Sequence, residues 1–288
     1  EVLCKVCVGS SGILVPQIQS MVGGLGTGED DIAVSSGSTL LGAAAGGLDA
    51  KMIAALNGRV NYDLIAAPAI KTVKDLRGKR FGIQAFGGGL WLGAMLGLES
   101  LGVDPQRDNL NILQVGDQSV IAQALEAGSI DAAALDGVFS RRLKQKGFTV
   151  LAEFSQSNIP TIGLGMIAKT NLIRERQEAI EGVVRGLSEA VAFILSPKSK
   201  PVVVKTITQH LRLHDPATAE EGYQDLTNGL ERKVYPSVEG LRNTQRLLKP
   251  RNPKLETIKV EELIDDRIVR RLDESGFLSR LQTAYGVK

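Results

Sequence analysis

The sequence is poor in the residues that metal, redox and nucleic-acid sites most often use. Its 288 residues include only two histidines, two cysteines and one tryptophan, and aromatic residues make up 4%. So few candidate ligands and rings argue against a metal centre built on several side chains or a stacking platform for bases. The 34 lysines and arginines nearly balance the 32 aspartates and glutamates and form no basic stripe. Nothing therefore indicates a nucleic-acid partner.

Long apolar runs are also missing. No stretch of 18 or more uninterrupted apolar residues occurs, so the sequence predicts no transmembrane helix. The chain begins almost directly in a strand-like segment, without the charged and apolar regions of an export signal. We expect that any such signal has been removed or was never present.

What the first half does contain is an alternation of strand-like and helical patterns, which is typical of βα units around largely parallel sheets. Asp117 and Asp215 are expected to cap helices, the second with Pro216 directly after it. After Thr170 the segments read as amphipathic helices, which we expect to pack back on an earlier sheet. The fold class is therefore α/β. The predicted strands are 2–8, 31–34, 51–56, 63–67, 80–84, 110–115, 131–135 and 149–154.

One short internal sequence repeat indicates two similarly built lobes. Leu25-x-x-Gly28-x-x-Asp31-x-Ala33 reappears as Leu125-x-x-Gly128-x-x-Asp131-x-Ala133. In both, a helix end should lead through a left-handed glycine into a buried strand. Leu25 comes only sixteen positions after Gly9 at the end of the first strand, whereas about forty residues lie between the strand 80–84 and Leu125 in the second copy. We therefore expect the first lobe to lack a helix and a strand that its counterpart has, with the break between Ser20 and Met21. Either residues are missing from the chain at that point or the lobe itself is shortened.

Catalytic motifs are sparse. Cys4 and Cys7 have the C-x-x-C spacing, but they lie in an apolar strand pattern and no second pair completes a zinc site. His210 and His214 are spaced i, i+4 without a third ligand, and we interpret them as surface or capping residues. No G-x-S-x-G elbow is present. We expect no catalytic residue, no metal and no cofactor.

Small polar residues and glycine follow three of the predicted strands. Ser10, Ser11 and Gly12 follow the first strand, and 35–39 (Ser-Ser-Gly-Ser-Thr) follow another. Phe86–Gly89 follow the strand 80–84 and open a helix that contains Trp91. Such loops place backbone N–H groups at helix N-termini, at the sheet edge where open α/β folds bind ligands. Ordinary helix capping is the alternative for any one of them.

Six segments follow one another in a recognisable order along the chain. They are 70–83 (IKTVKDLRGKRFGI), 98–105 (LESLGVDP), 124–132 (ALEAGSIDA), 172–176 (LIRER), 235–240 (YPSVEG) and 274–277 (ESGF). Together these segments resemble the solute-binding proteins of ABC transporters of the nitrate, sulfonate and taurine type. The resemblance covers roughly residues 30 to 282 and is weakest in the first thirty residues.

That resemblance implies a type II periplasmic-binding-protein fold, with two α/β lobes joined by a two-strand hinge and closing on a solute. Lobe one would comprise 1–67 plus 167–288 and lobe two 68–166, with crossovers near Ala66–Ala69 and Gly163–Ala168. It further implies an extracytoplasmic, periplasmic location, a membrane permease as partner and a monomer. The implied pocket residues are Ser10, Ser11, Gly12, Ser36, Gly37, Ser38, Phe86, Gly87, Gly88, Gly89, Asp136, Gly137, Pro160 and Thr161.

The pocket chemistry narrows the solute to a small polar or anionic organic molecule. These loops contain no arginine or lysine, so an anion such as a sulfonate, taurine or nitrate would be held by amides and hydroxyls. Asp136 either faces the cleft and favours an amine, or caps the helix that follows it. Two other functions stay open on the same fold. One is an enzyme like the thiamine-pyrimidine synthases, and the other is a ligand-sensing regulatory domain.

Overall fold

The computed structural model describes residues 18–210 and 215–287, which form two compact units. The first unit contains the described residues up to Gly58 together with Thr161–Thr206 and 230–287. The second contains Arg59–Pro160 and Ile207–Gly229.

The described residues form eight strands and twelve α-helices. The strands are β1 (Ile32–Ser35), β2 (Ala50–Arg59), β3 (Asp63–Ala66), β4 (Arg80–Ile83), β5 (Asn111–Gln114), β6 (Ala132–Leu135), β7 (Thr149–Glu153) and β8 (Pro160–Lys169). The helices are α1 (Ile18–Thr27), α2 (Gly37–Ala45), α3 (Gly89–Ser100), α4 (Gln118–Glu126), α5 (Gly137–Gln145), α6 (Thr170–Glu175), α7 (Gln177–Leu195), α8 (Lys200–His210), α9 (Pro216–Gly229), α10 (Val238–Leu248), α11 (Arg267–Glu274) and α12 (Phe277–Tyr285). Short 3-10 turns lie at Val73–Leu76, Phe154–Gln156, Pro253–Thr257 and Val260–Leu263.

The first unit is built on a sheet of strand order β1-β8-β2 that is covered on both faces. Side chains alternate between the faces of a strand, so Met166 and Ala168 join one hydrophobic core while Ile167 joins the other. The core containing Met166 is completed by helices α7, α11 and α12, and the other by α1, α2 and α10. The predicted packing of the helical C-terminal portion on an earlier sheet is confirmed for these helices.

The second unit contains a mixed sheet of order β5-β4-β6-β3-β7. Strand β4 runs parallel to β5 and β6, whereas β3 is antiparallel to β6 and β7. Its core includes Leu90, Ile121, Leu125 and Leu143 from helices α3, α4 and α5. The expectation of largely parallel sheets was therefore wrong at β3, and in the first unit at β1, which is antiparallel to β8. These pairings bring together strands that are far apart in sequence, which local patterns do not report.

The two units divide the chain at other positions than those expected. The first division falls after Gly58, earlier than 67/68, because β3 pairs within the second sheet. The second falls after Pro160, earlier than 166/167, because β8 pairs with β1 in the first sheet. Residues Ile207–Gly229 also belong to the second unit, although the expected lobe one contained them. Here helix α9 packs against α5.

The predicted repeat of a helix, a left-handed glycine and a strand is confirmed by the structure. Gly28 and Gly128 both have positive φ, +84° and +69°, and each lies between a helix and a strand. The leucines before them, Leu25 and Leu125, are buried in the two different units. The described backbone runs through Ser20 and Met21 as the single helix α1, while the predicted strand 2–8 lies outside the described residues.

Candidate functional site

The carboxyl ends of three parallel strands meet at one edge of the second unit's sheet. Strand β4 is flanked by β5 and β6, and all three run in the same direction. A helix begins after each strand, so α3, α4 and α5 all start at this edge. In open α/β sheets this edge is where ligands bind. The structure thus places Phe86–Gly89 and Asp136–Gly137 at one side of one unit.

Helix α3 differs from its two neighbours in having no side chain that caps it. Its N-cap is Gly88, in an extended conformation with φ −73° and ψ 165°. The first N–H groups of a helix have no acceptor within the helix, so the amides of Gly89 and Leu90 are donors at the sheet edge. Gly87 has φ +81°, which favours glycine and allows the tight turn before the helix.

Two aromatic rings lie beside this helix start. Phe86 is 40% exposed, whereas Trp91 is only 6% exposed. Their ring centroids are 6.2 Å apart at an interplanar angle of 63°, an edge-to-face contact. Trp91 therefore packs in the core, whereas Phe86 provides an exposed apolar surface next to the N–H groups.

Helices α4 and α5 are capped by carboxylates. Asp117 accepts hydrogen bonds from the backbone N–H groups of Ser119 and Val120, as the sequence predicted. Asp136 caps α5 by accepting from the Phe139 N–H at 3.4 Å. The interpretation of Asp136 as a helix cap is therefore confirmed.

A reciprocal pair of hydrogen bonds joins the starts of α4 and α5. The Gln118 side-chain amide donates to Asp136 Oδ2 at 2.9 Å, and its oxygen accepts from the Asp136 backbone N–H at 2.8 Å. Burial raises the pKa of Asp136, and nearby Asp225 raises it further, against the hydrogen bonds from Phe139 and Gln118. Burial and Asp136 also raise the pKa of Tyr62. Sequence reasoning missed Gln118 because a glutamine after a cap has no distinctive spacing.

In the first unit the residues around Ser36 and Thr161 share one surface. Ser36 caps α2, and its hydroxyl lies 2.8 Å from that of Ser38. A Cβ on Gly37 would lie 3.3 Å from the Cβ of Ile162, so the start of α2 packs closely on β8 next to Thr161. Strand β8 also contacts the start of helix α10, where a Cβ on Gly240 would lie 2.6 Å from the Thr161 carbonyl.

The start of α10 is a part of this surface that sequence reasoning missed. Ser237 caps the helix by accepting from the Gly240 N–H at 2.9 Å. A serine three residues before a glycine and directly before an amphipathic pattern is the signal that would have found it.

The implied pocket residues therefore separate into groups. Ser36, Gly37, Ser38 and Thr161 come together in the first unit. The loop Phe86–Gly89 and the pair Asp136–Gly137 come together in the second, which also contains Pro160 at the beginning of β8. Ser10, Ser11 and Gly12 lie outside the described residues, as do Cys4, Cys7 and His214. That these residues bind a solute stays a prediction.

The second unit also contains a polar cavity of about 290 Å³ beside Gly137. Helices α5 and α9 form one wall, and the beginning of β3 and the end of β7 form another. Asp63 is hydrogen-bonded there by Ser140, and its pKa is raised by burial first and then by Glu153 and Asp225. The lining residues are Asn61, Asp63, Gly137, Ser140, Arg141, Lys144, Val150, Glu153, Ser155, Gln156, Asp225 and Asn228.

The described part of the chain contains neither a metal-binding cluster nor a membrane-spanning helix. No group of three or more histidine, cysteine, aspartate or glutamate side chains in 18–210 and 215–287 has the geometry to hold a metal ion. Within the same ranges, none of the helices combines the length and the apolar character needed to cross a bilayer.

The chain has the fold of the periplasmic binding proteins, with two mixed α/β units. The chain belongs to the NMT1/THI5-like family, whose model matches residues 15–199. No match was found among curated protein sequences.

Solved structures share this fold at low sequence identity. One is a periplasmic sulfonate-binding protein SsuA of Methylobacillus flagellatus KT, with 16% identity and a TM-score of 0.74 over 89% of this chain and 79% of that chain. Another is the alkanesulfonate-binding protein SsuA of Xanthomonas axonopodis pv. citri bound to MOPS, with 19% identity and a TM-score of 0.63 over 88% and 86%. A third is the desulfurization enzyme DszB, with 13% identity and a TM-score of 0.57 over 85% of both chains.

Proposed function

We propose that this chain is the solute-binding component of an ABC importer and captures a small organic anion, with a sulfonate as the first candidate. The observation that carries the proposal is the uncapped start of α3, where backbone N–H groups lie beside the exposed ring of Phe86. Helix N-termini bind anionic groups without a basic side chain. The family and the SsuA structures support a role in solute binding over one in catalysis.

The neighbouring helix starts favour α3 as the place for the anionic group. Asp117 and Asp136 occupy the N-termini of α4 and α5, so these ends already carry negative charge. Gly88 carries none. The Phe86 ring would contact an organic tail, which favours an organic sulfonate over nitrate, whereas taurine has only a short tail.

The partner and the location follow from the same proposal. A solute-binding component delivers its ligand to a membrane permease and works outside the cytoplasm, and we propose both for this chain, together with a monomeric state. Capture between two lobes, as expected from the sequence, stays a prediction.

Calorimetry and thermal-shift assays with a panel of solutes test the proposal. We expect binding of at least one member among alkanesulfonates, MOPS, taurine, nitrate and aromatic carboxylates. A folded full-length protein that none of these compounds binds or stabilises would rule out the proposed class of solute.

A pair of variants tests the helix start itself. Gly89→Pro removes one N–H donor at the first position of α3, where proline is well tolerated and where Gly88 is already extended. A hydrogen bond to a charged group contributes about 1.5–3 kcal/mol, so we expect affinity to fall by about tenfold or more. Gly89→Ala keeps the donor, and a Cβ there meets nothing within 4 Å, so it is the matched control. Equal affinities of the two variants would exclude this N–H as a ligand contact.

An enzyme on the same fold is the second candidate, because DszB shares the fold. Incubation of the protein with each bound solute, followed by mass spectrometry of the solute, separates the two. A binding protein returns the solute unchanged, whereas chemical conversion of the solute would favour the enzyme.

A further inference from the structure

Helix α9 belongs to a segment that leaves the first unit and returns to it. Of the described chain after Thr161, only Ile207–Gly229 lies in the second unit. Within that segment, α9 packs against α5, the helix that begins at the candidate loop Asp136–Gly137. The contact between the two helices therefore lies next to one of the predicted solute-binding loops.

An ion pair joins the two helices. Arg141 Nη1 donates to Asp225 Oδ1 at 2.8 Å and Nη2 donates to Oδ2 at 3.0 Å, so the pair is bidentate. Arg141 Nη2 also donates to the backbone carbonyl of Glu221, and Nε lies 3.5 Å from the Glu221 carboxylate. The side chains of Arg141 and Asp225 are 36% and 21% exposed, so water screens the pair only in part. Bidentate geometry fixes the orientation of both side chains.

The ion pair rests directly on the backbone at Gly137. A Cβ at this position would lie 2.3 Å from Asp225 Oδ1 and 2.6 Å from Arg141 Nη1. Contacts this short are not possible for a real side chain, so any residue other than glycine would displace the pair. Glycine lets the pair approach this closely, and the approach brings α9 against the first residue of α5.

Charge couples the same groups. Asp225 raises the pKa of Asp136, and Arg141 lowers it, although burial is the largest influence. Asp136 caps α5 and holds Gln118 at the start of α4. Asp225 and Arg141 therefore act on the candidate loop both by contact and through the electrostatic field.

We propose that α9 is a brace for the loop Asp136–Gly137, which lies at the same sheet edge as the anion site proposed at the start of α3, and that Asp225 and Arg141 are positioning residues for solute affinity. The inference rests on the proposed function. Its physical basis is preorganisation: a loop held in its binding conformation loses less entropy when the solute binds. A looser α5 start would lower the affinity without removing any solute contact.

Two variants that change the local charge in opposite senses test the brace. Asp225→Asn removes a negative charge and Arg141→Gln removes a positive one, and both break the bidentate pair. We expect both to weaken binding of the solute identified by the panel by about tenfold, a change of ~1.4 kcal/mol. In NMR titrations the pKa of Asp136 should fall in the first variant and rise in the second. If the pair acts by positioning the loop, both variants should lower the affinity for the solute. If it acts only through long-range charge, Asp225→Asn should raise the affinity for an anion and Arg141→Gln should lower it.

A third variant and a control complete the experiment. Gly137→Ala leaves all charges in place but forces the pair away, and it should also weaken binding. Glu126→Gln breaks the ion pair of Glu126 with Lys146, at the opposite end of α5, and should leave affinity unchanged. Circular dichroism and thermal melts show which variants are folded, and the brace is judged on those that are.

The outcomes separate the inference from the proposed function. A wild-type protein that binds no solute in the panel contradicts the proposed function, and the brace falls with it. Wild-type binding with unchanged affinity in the folded variants, or with opposite effects of Asp225→Asn and Arg141→Gln, overturns the brace alone. A loss in Glu126→Gln equal to that in Asp225→Asn would also overturn it.

Discussion

At the residue scale, the second unit keeps carboxyl groups in partly buried positions close to one another. Asp63 lies at the beginning of β3 and Asp136 at the end of β6, and the register pairs Asp63 with Leu135 directly before Asp136. Both aspartates have a raised pKa, chiefly because burial disfavours the charged form. By contrast, the pKa of Asp131 is lowered, because Arg80 donates hydrogen bonds to both of its carboxylate oxygens.

We predict that Asp63→Asn stabilises the protein at neutral pH. A carboxyl group with a raised folded-state pKa destabilises the fold when it is ionised, and this cost disappears as the pH falls below its unfolded value. The asparagine can still accept the Ser140 hydrogen bond without a charge. The gain in unfolding free energy should be below about 1 kcal/mol at pH 7 and vanish near pH 3. Urea melts of both proteins at the two pH values measure it, and a gain that grows on acidification would contradict it.

The left-handed glycines of the repeated segments give a second prediction at this scale. Gly128 has φ +69° and a Cβ there would contact nothing within 4 Å. Gly128→Ala should therefore cost about 1 kcal/mol through backbone strain alone. The lost stability is measured by thermal unfolding. A neutral Gly128→Ala would show that the turn can relax.

At the element scale, two glycines inside helices lie on faces that are packed to different degrees. Helix α3 presents Gly97 to the fully buried ring of Phe154, where a Cβ would lie 2.2 Å from a ring carbon. Helix α2 presents Gly42 to open space. The same substitution therefore has opposite expected effects in the two helices.

We predict that Gly97→Ala destabilises the protein and that Gly42→Ala stabilises it. Alanine favours a helix over glycine by about 1 kcal/mol, which should appear in full at Gly42. At Gly97 overpacking against Phe154 costs about 1–3 kcal/mol and should exceed that gain. Chemical denaturation of the two variants measures the difference. Stabilisation by both would mean that Phe154 moves aside easily.

At the scale of the whole molecule, the chain passes between its two units more often than a two-strand hinge requires. Besides the passages after Gly58 and Pro160, it enters the second unit again at Ile207 and leaves it after Gly229. The additional segment contains α9, which packs against α5.

We predict that a solute from the panel stabilises the protein, because a ligand that binds only the folded state raises the free energy of unfolding. At a free concentration of about one hundred times Kd, the unfolding free energy should rise by about 2.7 kcal/mol. Small-angle scattering should show a smaller radius of gyration with solute if binding closes the hinge. A solute that binds by calorimetry but leaves the scattering unchanged would contradict hinge closure, though not binding.

Much of the fold was predictable from local patterns. The strand patterns in 31–154 and the caps Asp117 and Asp215 match described elements, because period-two apolar runs and capping residues act within a few neighbours. The strand order, the antiparallel direction of β3 and the place of α9 did not follow, because they depend on contacts between distant segments.

For the candidate site, the sequence by itself determined that Phe86–Gly89 is a glycine-rich loop whose helix has no capping side chain, and that 35–39 consists of serines, a glycine and a threonine. Both are local properties of the chain. Only the tertiary structure decided that Asp136 caps α5 and pairs with Gln118, and that the Arg141–Asp225 pair rests on Gly137. The physical reason is distance. Asp225 is far from Gly137 along the chain, and only the packing of α9 on α5 brings the two into contact.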